Sequence, residues 1–239
     1  MMPTASAIII GDEILSGKFP DENSPWLVQR CKELGIDLIQ IAVIRDQVDE
    51  IANTIRRCSS ISDYVFTTGG VGPTHDDVTM VGVAEAFETQ LHRHPDIEAI
   101  LKEKMGEQCT EEALTMADIP INAQLWWDGS LFFPQVVLEN VLIFPGVPKL
   151  LKMKFNAVAH RLKSTPKTVV ELVTTASESE IAKDLALVQQ QWPEISIGSY
   201  PRYDKKPWTV IISLSGRNTS SIKAAAASLR QKIKILDVN

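Results

Sequence analysis

The stretch that most limits what this chain can become runs from Val65 to Thr79: Val-Phe-Thr-Thr-Gly-Gly-Val-Gly-Pro-Thr-His-Asp-Asp-Val-Thr. Its apolar start suits the end of a buried strand. Gly69, Gly70 and Gly72 then let the backbone turn through positive φ and approach a ligand closely. A helix is expected from about Asp77 to Phe87, with free N–H groups and a positive dipole end that attract an anion. Asp76 and Asp77 stand at that same end. Two carboxylates repel a phosphate, and a divalent cation between them resolves the conflict. Neighbours on a helix point roughly 100° apart, so one aspartate is assigned to metal and the other to capping the helix. The glycines are not followed by Gly-Lys-Ser/Thr and do not form Gly-x-Gly-x-x-Gly, so neither a P-loop nor a nicotinamide site is indicated.

Strand and helix patterns alternate around this loop. Ala5 to Ile10 reads as a buried strand, and Gly11-Asp12-Glu13-Ile14-Leu15-Ser16-Gly17 as the loop after it. A helix follows with Ser24 as N-cap, Pro25 in the first turn and Gly35 as the stop. Residues 36–44 form a second strand, Asp46 caps another helix, and Asp63 to Thr68 is the third strand. Two helices are expected in 95–117, short strands in 121–138, a buried strand at Val141 to Phe144, and a helix from Pro148 to about Leu162. This order indicates βαβ units and a parallel sheet covered on both faces. Ser164-Thr165-Pro166 is the linker candidate. Beyond it come strand 168–174, helix 178–191, strands 195–199 and 208–214, and helix 219–233, a small α+β unit. Its Tyr200, Arg202, Tyr203 and Lys205 could reach a neighbouring site. The division is therefore 1–164 and 165–239.

Ligands on such sheets bind beyond the carboxyl ends of the strands. Three strand-end loops meet that description: the central one, the first one with Asp12, Glu13, Ser16 and Asp21, and Pro145-Gly146-Val147-Pro148. The central loop alone reads equally well as an ordinary tight turn, and the Asp12-Glu13 pair alone reads better as solvated turn residues; together the loops make a site. Asp77, Asp76 and Asp21 are the catalytic candidates, with Asp77, Asp76, Glu13 and Asp12 as metal ligands. Gly69, Gly70, Gly72, Thr68, Thr74, Ser16 and Gly146 are the phosphate or substrate contacts. His75 reads either as a ligand or as a loop histidine without a role. Trp126 and Trp127 read as core packing ahead of stacking on a base or flavin ring.

The net charge of −6, without a run of Lys or Arg, argues against nucleic acid or an anionic membrane as partner. No stretch reaches the roughly 20 apolar residues of a membrane span. Cys31, Cys58 and Cys109 are widely spaced and without a Cys-x-x-Cys pair, which suits buried thiols in a reducing, cytoplasmic setting. Cys58 lies on an apolar helix face, so covalent catalysis is disfavoured.

Gly11 to Gly17, Thr67 to Thr79 and Phe144-Pro145-Gly146-Val147-Pro148 together resemble the molybdopterin-binding (MoaB/Mog-like) domain, in the subfamily of CinA and the N-terminal domain of FAD synthase. The likeness covers about residues 5–163, and Ser177 to Ala182 with Gly198 to Pro201 resemble the small domain that follows in the FAD synthase branch. It implies a three-layer α/β fold and a pocket for a pterin or a nucleotide diphosphate. It also implies cleavage of a pyrophosphate such as FAD or ADP-ribose with Mg²⁺, Mn²⁺ or Co²⁺. By motif position Asp77 matches the aspartate near the glycine loop of molybdopterin enzymes, and Asp21 the acid of their first loop. CinA proteins carry Asn-Pro-x-Gly-Thr-Ala-Pro-Gly where this chain has Asp128-Gly129-Ser130-Leu131-Phe132-Phe133-Pro134-Gln135. That departure turns the expectation towards FAD or another dinucleotide. The resemblance also implies a homo-oligomer, dimer or trimer. The expected activity is hydrolysis of a dinucleotide pyrophosphate, with molybdopterin adenylylation, or binding of a pterin or nucleotide without catalysis, as the alternatives.

Overall fold

The structure is a computed structural model that describes residues 3–128, 131–162, 168–204 and 206–236. The proposed linker Ser164-Thr165-Pro166, Gly129-Ser130 of the departing loop, and Lys205 lie outside the described residues. The chain divides into two compact units, Met1–Ser164 and Thr165–Asn239.

In the first unit the elements run β1 (Thr4–Ile10), α1 (Asp12–Leu15), α2 (Asn23–Leu34), β2 (Asp37–Ile44), α3 (Val48–Ile61), β3 (Tyr64–Thr68), α4 (Thr79–Ala86), β4 (Leu91–Arg93), α5 (Pro95–Met105), α6 (Glu111–Leu114), β5 (Asp118–Pro120), β6 (Gln124–Trp126), β7 (Gln135–Leu138), β8 (Val141–Phe144) and α7 (Pro148–Val158). Six strands form one sheet in the order β2-β1-β3-β8-β7-β6. The first four are parallel, and β7 alone runs antiparallel, between β8 and β6.

Side chains alternate between the faces of a strand, and β1 shows the consequence. Ile8 and Ile10 pack with Ile51, Ile55, Val83 and Ile97 from α3, α4 and α5. Ala5, Ala7 and Ile9 pack with Leu27, Cys31, Leu151 and Phe155 from α2 and α7. The result is a helix–sheet–helix sandwich. Burial of about 1.5–3 kcal/mol per large apolar side chain on both faces holds it together. Covering is incomplete at the outer strand: Ile39, Ile41 and Val43 of β2 are exposed.

The chain reverses its direction of travel across the sheet between β1 and β3. β1 continues through α2 to β2 on one side, whereas β3 is followed by elements leading to β8 on the other. The loops after these two neighbouring strands leave in opposite directions, opening a crevice at their carboxyl ends.

Four local expectations need correction. Ser24 is not the N-cap of α2: that helix starts at Asn23, and Asp21 Oδ1 accepts the N–H groups of Asn23 (2.9 Å) and Ser24 (3.0 Å). Asp46 does not cap α3; its Oδ2 accepts the N–H of Asp12 at 2.8 Å. The segment Asp12–Leu15 is a single helical turn, and α4 begins two residues later than Asp77.

The second unit comprises β9 (Thr168–Thr174), α8 (Glu178–Gln191), β10 (Ser196–Arg202), β11 (Thr209–Gly216), α9 (Thr219–Lys232) and β12 (Ile235–Leu236). Its antiparallel sheet has the order β10-β11-β9-β12. Leu172, Ile212 and Leu214 of the sheet share a core with Ile181 and Val188 of α8 and Ile222 and Leu229 of α9.

Candidate functional site

At the carboxyl ends of β1, β3 and β8 lies a cavity of about 550 Å³. Its walls include Glu13, Asp21, Asn23, Thr68, Gly69, Gly70, Gly72, Asp77 and Gly146. Three separate turns, with the entry to α2, therefore converge on one space.

The glycine loop is shaped by contacts that allow no side chain. Gly69 has φ +110°, and a Cβ there would sit 2.0 Å from the carbonyl oxygen of Ile10. Its N–H donates to Phe144 O at 3.2 Å, so this residue ties β3 to both neighbouring strands. Gly70, at φ +61°, receives at its carbonyl the N–H of Thr79, whose hydroxyl donates to Gly69 O at 2.8 Å. These bonds close the loop upon α4 and occupy the first N–H of that helix, one of the groups expected to face an anion. The N–H groups of Gly70, Val71 and Gly72 enter no hydrogen bond among the described residues. They are the amides available to an anion.

The carboxylates sort differently from expectation. Glu13, Asp21 and Asp77 line the cavity; Asp12 and Asp76 do not. Asp76 is fully exposed, and the Thr74 hydroxyl, 2.5 Å away, holds its carboxyl below the usual carboxylate range. Asp77 does not cap α4: its Oδ2 accepts the N–H of Thr74 at 2.8 Å and lies against Gly72. Asp21 both caps α2 and lines the cavity. Among the described residues no group of three or more His, Cys, Asp or Glu side chains stands ready to hold a metal ion. The four acids Asp77, Asp76, Glu13 and Asp12 are thus not a preformed ligand set. Magnesium-type sites, however, use only one or two carboxylates and complete their shell with substrate phosphate and water. Glu13 with Asp77 or Asp21 fits that pattern.

Other contacts of the sequence reading are spent on structure. The Thr68 hydroxyl accepts from Asn23 Nδ2 (2.9 Å) and donates to Pro145 O (3.0 Å). Ser16 is exposed and donates to Glu13 O at 3.3 Å, and Thr74 serves the aspartates; neither lines the cavity. His75 is almost entirely exposed. Trp126 packs at the edge of the core as expected, with the Arg161 guanidinium 5.4 Å from its ring centre, whereas Trp127 is exposed and not part of the core.

One residue at the site has no role in the sequence-based expectations, Asn23, and another, Asp46, has a different role from the cap expected of it. Asn23 is buried at the head of α2 and donates to Thr68 Oγ1 and to Gly146 O at 2.7 Å, joining α2, β3 and the 145–148 turn. Its position in the polar run Asp21-Glu22-Asn23-Ser24 hid it among apparent capping residues. Asp46, at the end of β2, bridges to the first loop. Burial raises its carboxyl above the usual range, and the charges of Glu13, Asp12 and Asp76 raise it further against the Asp12 hydrogen bond. This corner therefore carries more negative charge than its own hydrogen bonds offset. The thiols play no part: burial pushes Cys31 up to about 12 and raises Cys58 as well.

The class these features define is an α/β sandwich whose glycine loop and carboxylates line a cavity at its topological switch point. The chain belongs to the MoaB/Mog-like molybdopterin-binding family, matching "Probable molybdopterin binding domain" over residues 6–164 and "FAD synthase, middle domain" over 167–238. A "Probable FAD synthase" of Caenorhabditis elegans is 34% identical over 95% of this chain and 49% of its own length. The chain thus spans about half the length of the FAD synthase relatives it matches. A protein of Archaeoglobus fulgidus is 30% identical over 94% of this chain and 95% of its own. The crystal structure of a CinA protein of unknown function from Thermoplasma acidophilum aligns with TM-score 0.62 and 30% identity, over 67% of this chain and 98% of that one.

Proposed function

We propose that this chain binds the diphosphate of a dinucleotide such as FAD or ADP-ribose at the glycine loop and hydrolyses its pyrophosphate bond with a divalent cation. The observation that carries this reading is the convergence of Glu13, Asp21 and Asp77 with the uncommitted amides of Gly70, Val71 and Gly72 on one cavity. The amides donate to phosphate oxygens and hold the reacting phosphorus in place. Glu13 or Asp21, lining the same cavity, accepts a hydrogen bond from a water and takes its proton as the oxygen lone pair attacks that phosphorus. A new O–P bond forms, the bridging P–O bond breaks, and a nucleoside monophosphate leaves with the second phosphate monoester. Asn23 holds the α2 entrance against the Gly146 turn through its hydrogen bond to Gly146 O. A cation such as Mg²⁺, Mn²⁺ or Co²⁺ held by Glu13, Asp77 or Asp21 would offset the charge shared with the diphosphate and make water a better nucleophile.

The family likeness also supports pterin adenylylation. A product assay separates the two: hydrolysis consumes FAD or ADP-ribose and releases nucleoside monophosphate, whereas adenylylation consumes ATP only when a pterin is present. Tight binding without turnover under all three cations would assign the chain to ligand binding alone. The partners in this reading are a nucleotide or pterin and further copies of the chain.

A further inference from the structure

A second cavity, of about 320 Å³, shares Val71, Met116, Pro145 and Leu150 with the first. Its wall is apolar and rich in methionine and phenylalanine, with one exception. Lys154, on α7, is only 8% exposed, yet it forms part of this wall. Its Nζ donates to Pro134 O at 2.8 Å and sits 5.0 Å from the Phe133 ring centre. It enters no ion pair among the described residues. An ammonium carries three donors, so two remain beyond the Pro134 bond in a place that water reaches poorly. Burial pushes this lysine down to about 8, as expected of a charge held without a counterion.

We infer that this cavity receives the heteroaromatic ring of the ligand whose diphosphate lies at the glycine loop, with Lys154 donating to the oxo-pyrimidine edge shared by flavins and pterins. The cavity fits that role in three respects. Its volume falls at the small end of ligand sites, about 300–1,000 Å³. Polarizable methionine sulfurs such as those of Met105 and Met116 pack well against ring edges. Lys154 offers donors and no acceptor, so it selects a ring edge bearing carbonyl oxygen or unprotonated nitrogen and discriminates against one that presents only N–H. The inference deepens the proposed function, and it rests on that reading for the placement of the diphosphate.

Riboflavin and pterin, which lack the diphosphate, test the ring site directly, and ADP-ribose, which lacks an oxo-pyrimidine, tests the glycine loop. Calorimetric titration of all three, and of FAD, is made into the intact chain and into Lys154→Met and Met153→Trp. Met153 lies at the exposed rim of the cavity, so the second variant obstructs the mouth without disturbing the core. The expected result is at least a tenfold loss of FAD affinity in both variants, with riboflavin or pterin binding abolished and ADP-ribose within twofold of the parent. Whichever free ring binds the parent identifies the source. Unchanged FAD affinity in both variants, or no binding of either free ring to the parent, overturns the inference while leaving the glycine-loop reading intact. Failure of ADP-ribose and FAD to bind the parent overturns the proposed function instead.

Discussion

Gly69 shows how little freedom the site leaves at the scale of one residue. Its φ of +110° and the Ile10 carbonyl 2.0 Å from any added Cβ exclude every side chain. Gly69→Ala is expected to lower stability by about 3 kcal/mol or more through backbone strain and displacement of β1, measurable by urea unfolding; a loss below ~1 kcal/mol would contradict the packing described. Lys154 makes the opposite prediction. Lys154→Met removes a buried, unpaired ammonium and should raise stability by about 1–3 kcal/mol. In the parent, Lys154 titrates near 8 in the folded chain against 10.5 in its ordinary state. Between those values the unfolded chain holds a proton that the folded one has released. Stability from this residue therefore rises as pH goes from about 8 to 10.5 and is level below 8. The comparison of parent and variant across that window checks it: the difference between them should shrink towards high pH.

At the scale of elements, Asp21 combines two duties that substitution can separate. As the cap of α2 its loss to Ala should destabilise by about 1 kcal/mol, whereas Asn keeps the accepting oxygen and should leave stability within ~0.5 kcal/mol. Both lose the charge facing the cavity, so both should lose diphosphate cleavage; an active Asp21→Asn would restrict this residue to capping. The elements themselves were largely legible. Isoleucine-rich runs, Gly35, and proline at the starts of α5 and α7 mark strands and helices through local chemistry that tertiary packing did not override. Legibility ended where a short polar side chain had several partners to choose among. Asp46, Ser24 and Asp77 each suggest a helix cap, but which backbone N–H lies within reach depends on loops brought together from elsewhere in the chain. Asp46 bonds to Asp12, 34 positions away, and no local pattern encodes that. The three-residue strands β4 and β5 were hidden likewise, since Leu91–Arg93 pairs only with Asp118–Pro120. Lys154 was hidden too: a lysine among lysines on a helix reads as solvated until its neighbours are known.

For the whole molecule, the outer strand of the large sheet bears on the proposed self-association. Ile41 and Val43 lie in register with Ala7 and Ile9, on the face that α2 and α7 cover elsewhere, yet both are exposed. An exposed apolar edge strand invites pairing with another chain, and a second copy offers a self-complementary antiparallel edge. Ile41→Glu is accordingly expected to shift sedimentation towards the monomer. If the parent sediments as a monomer at micromolar concentration, or the variant remains associated, this surface has no such role.

The reading of the strand-end cavity depends most on Asp77 and a divalent cation acting together on a diphosphate. The direct measurement is nucleoside monophosphate release from FAD and ADP-ribose, by the intact chain and by Asp77→Asn, with Mg²⁺, Mn²⁺ or Co²⁺ and with chelator. Release by the parent only when a cation is present, and a drop of about a hundredfold or more in the variant, is the predicted result. Full activity in Asp77→Asn, or release that chelator leaves unchanged, would contradict it.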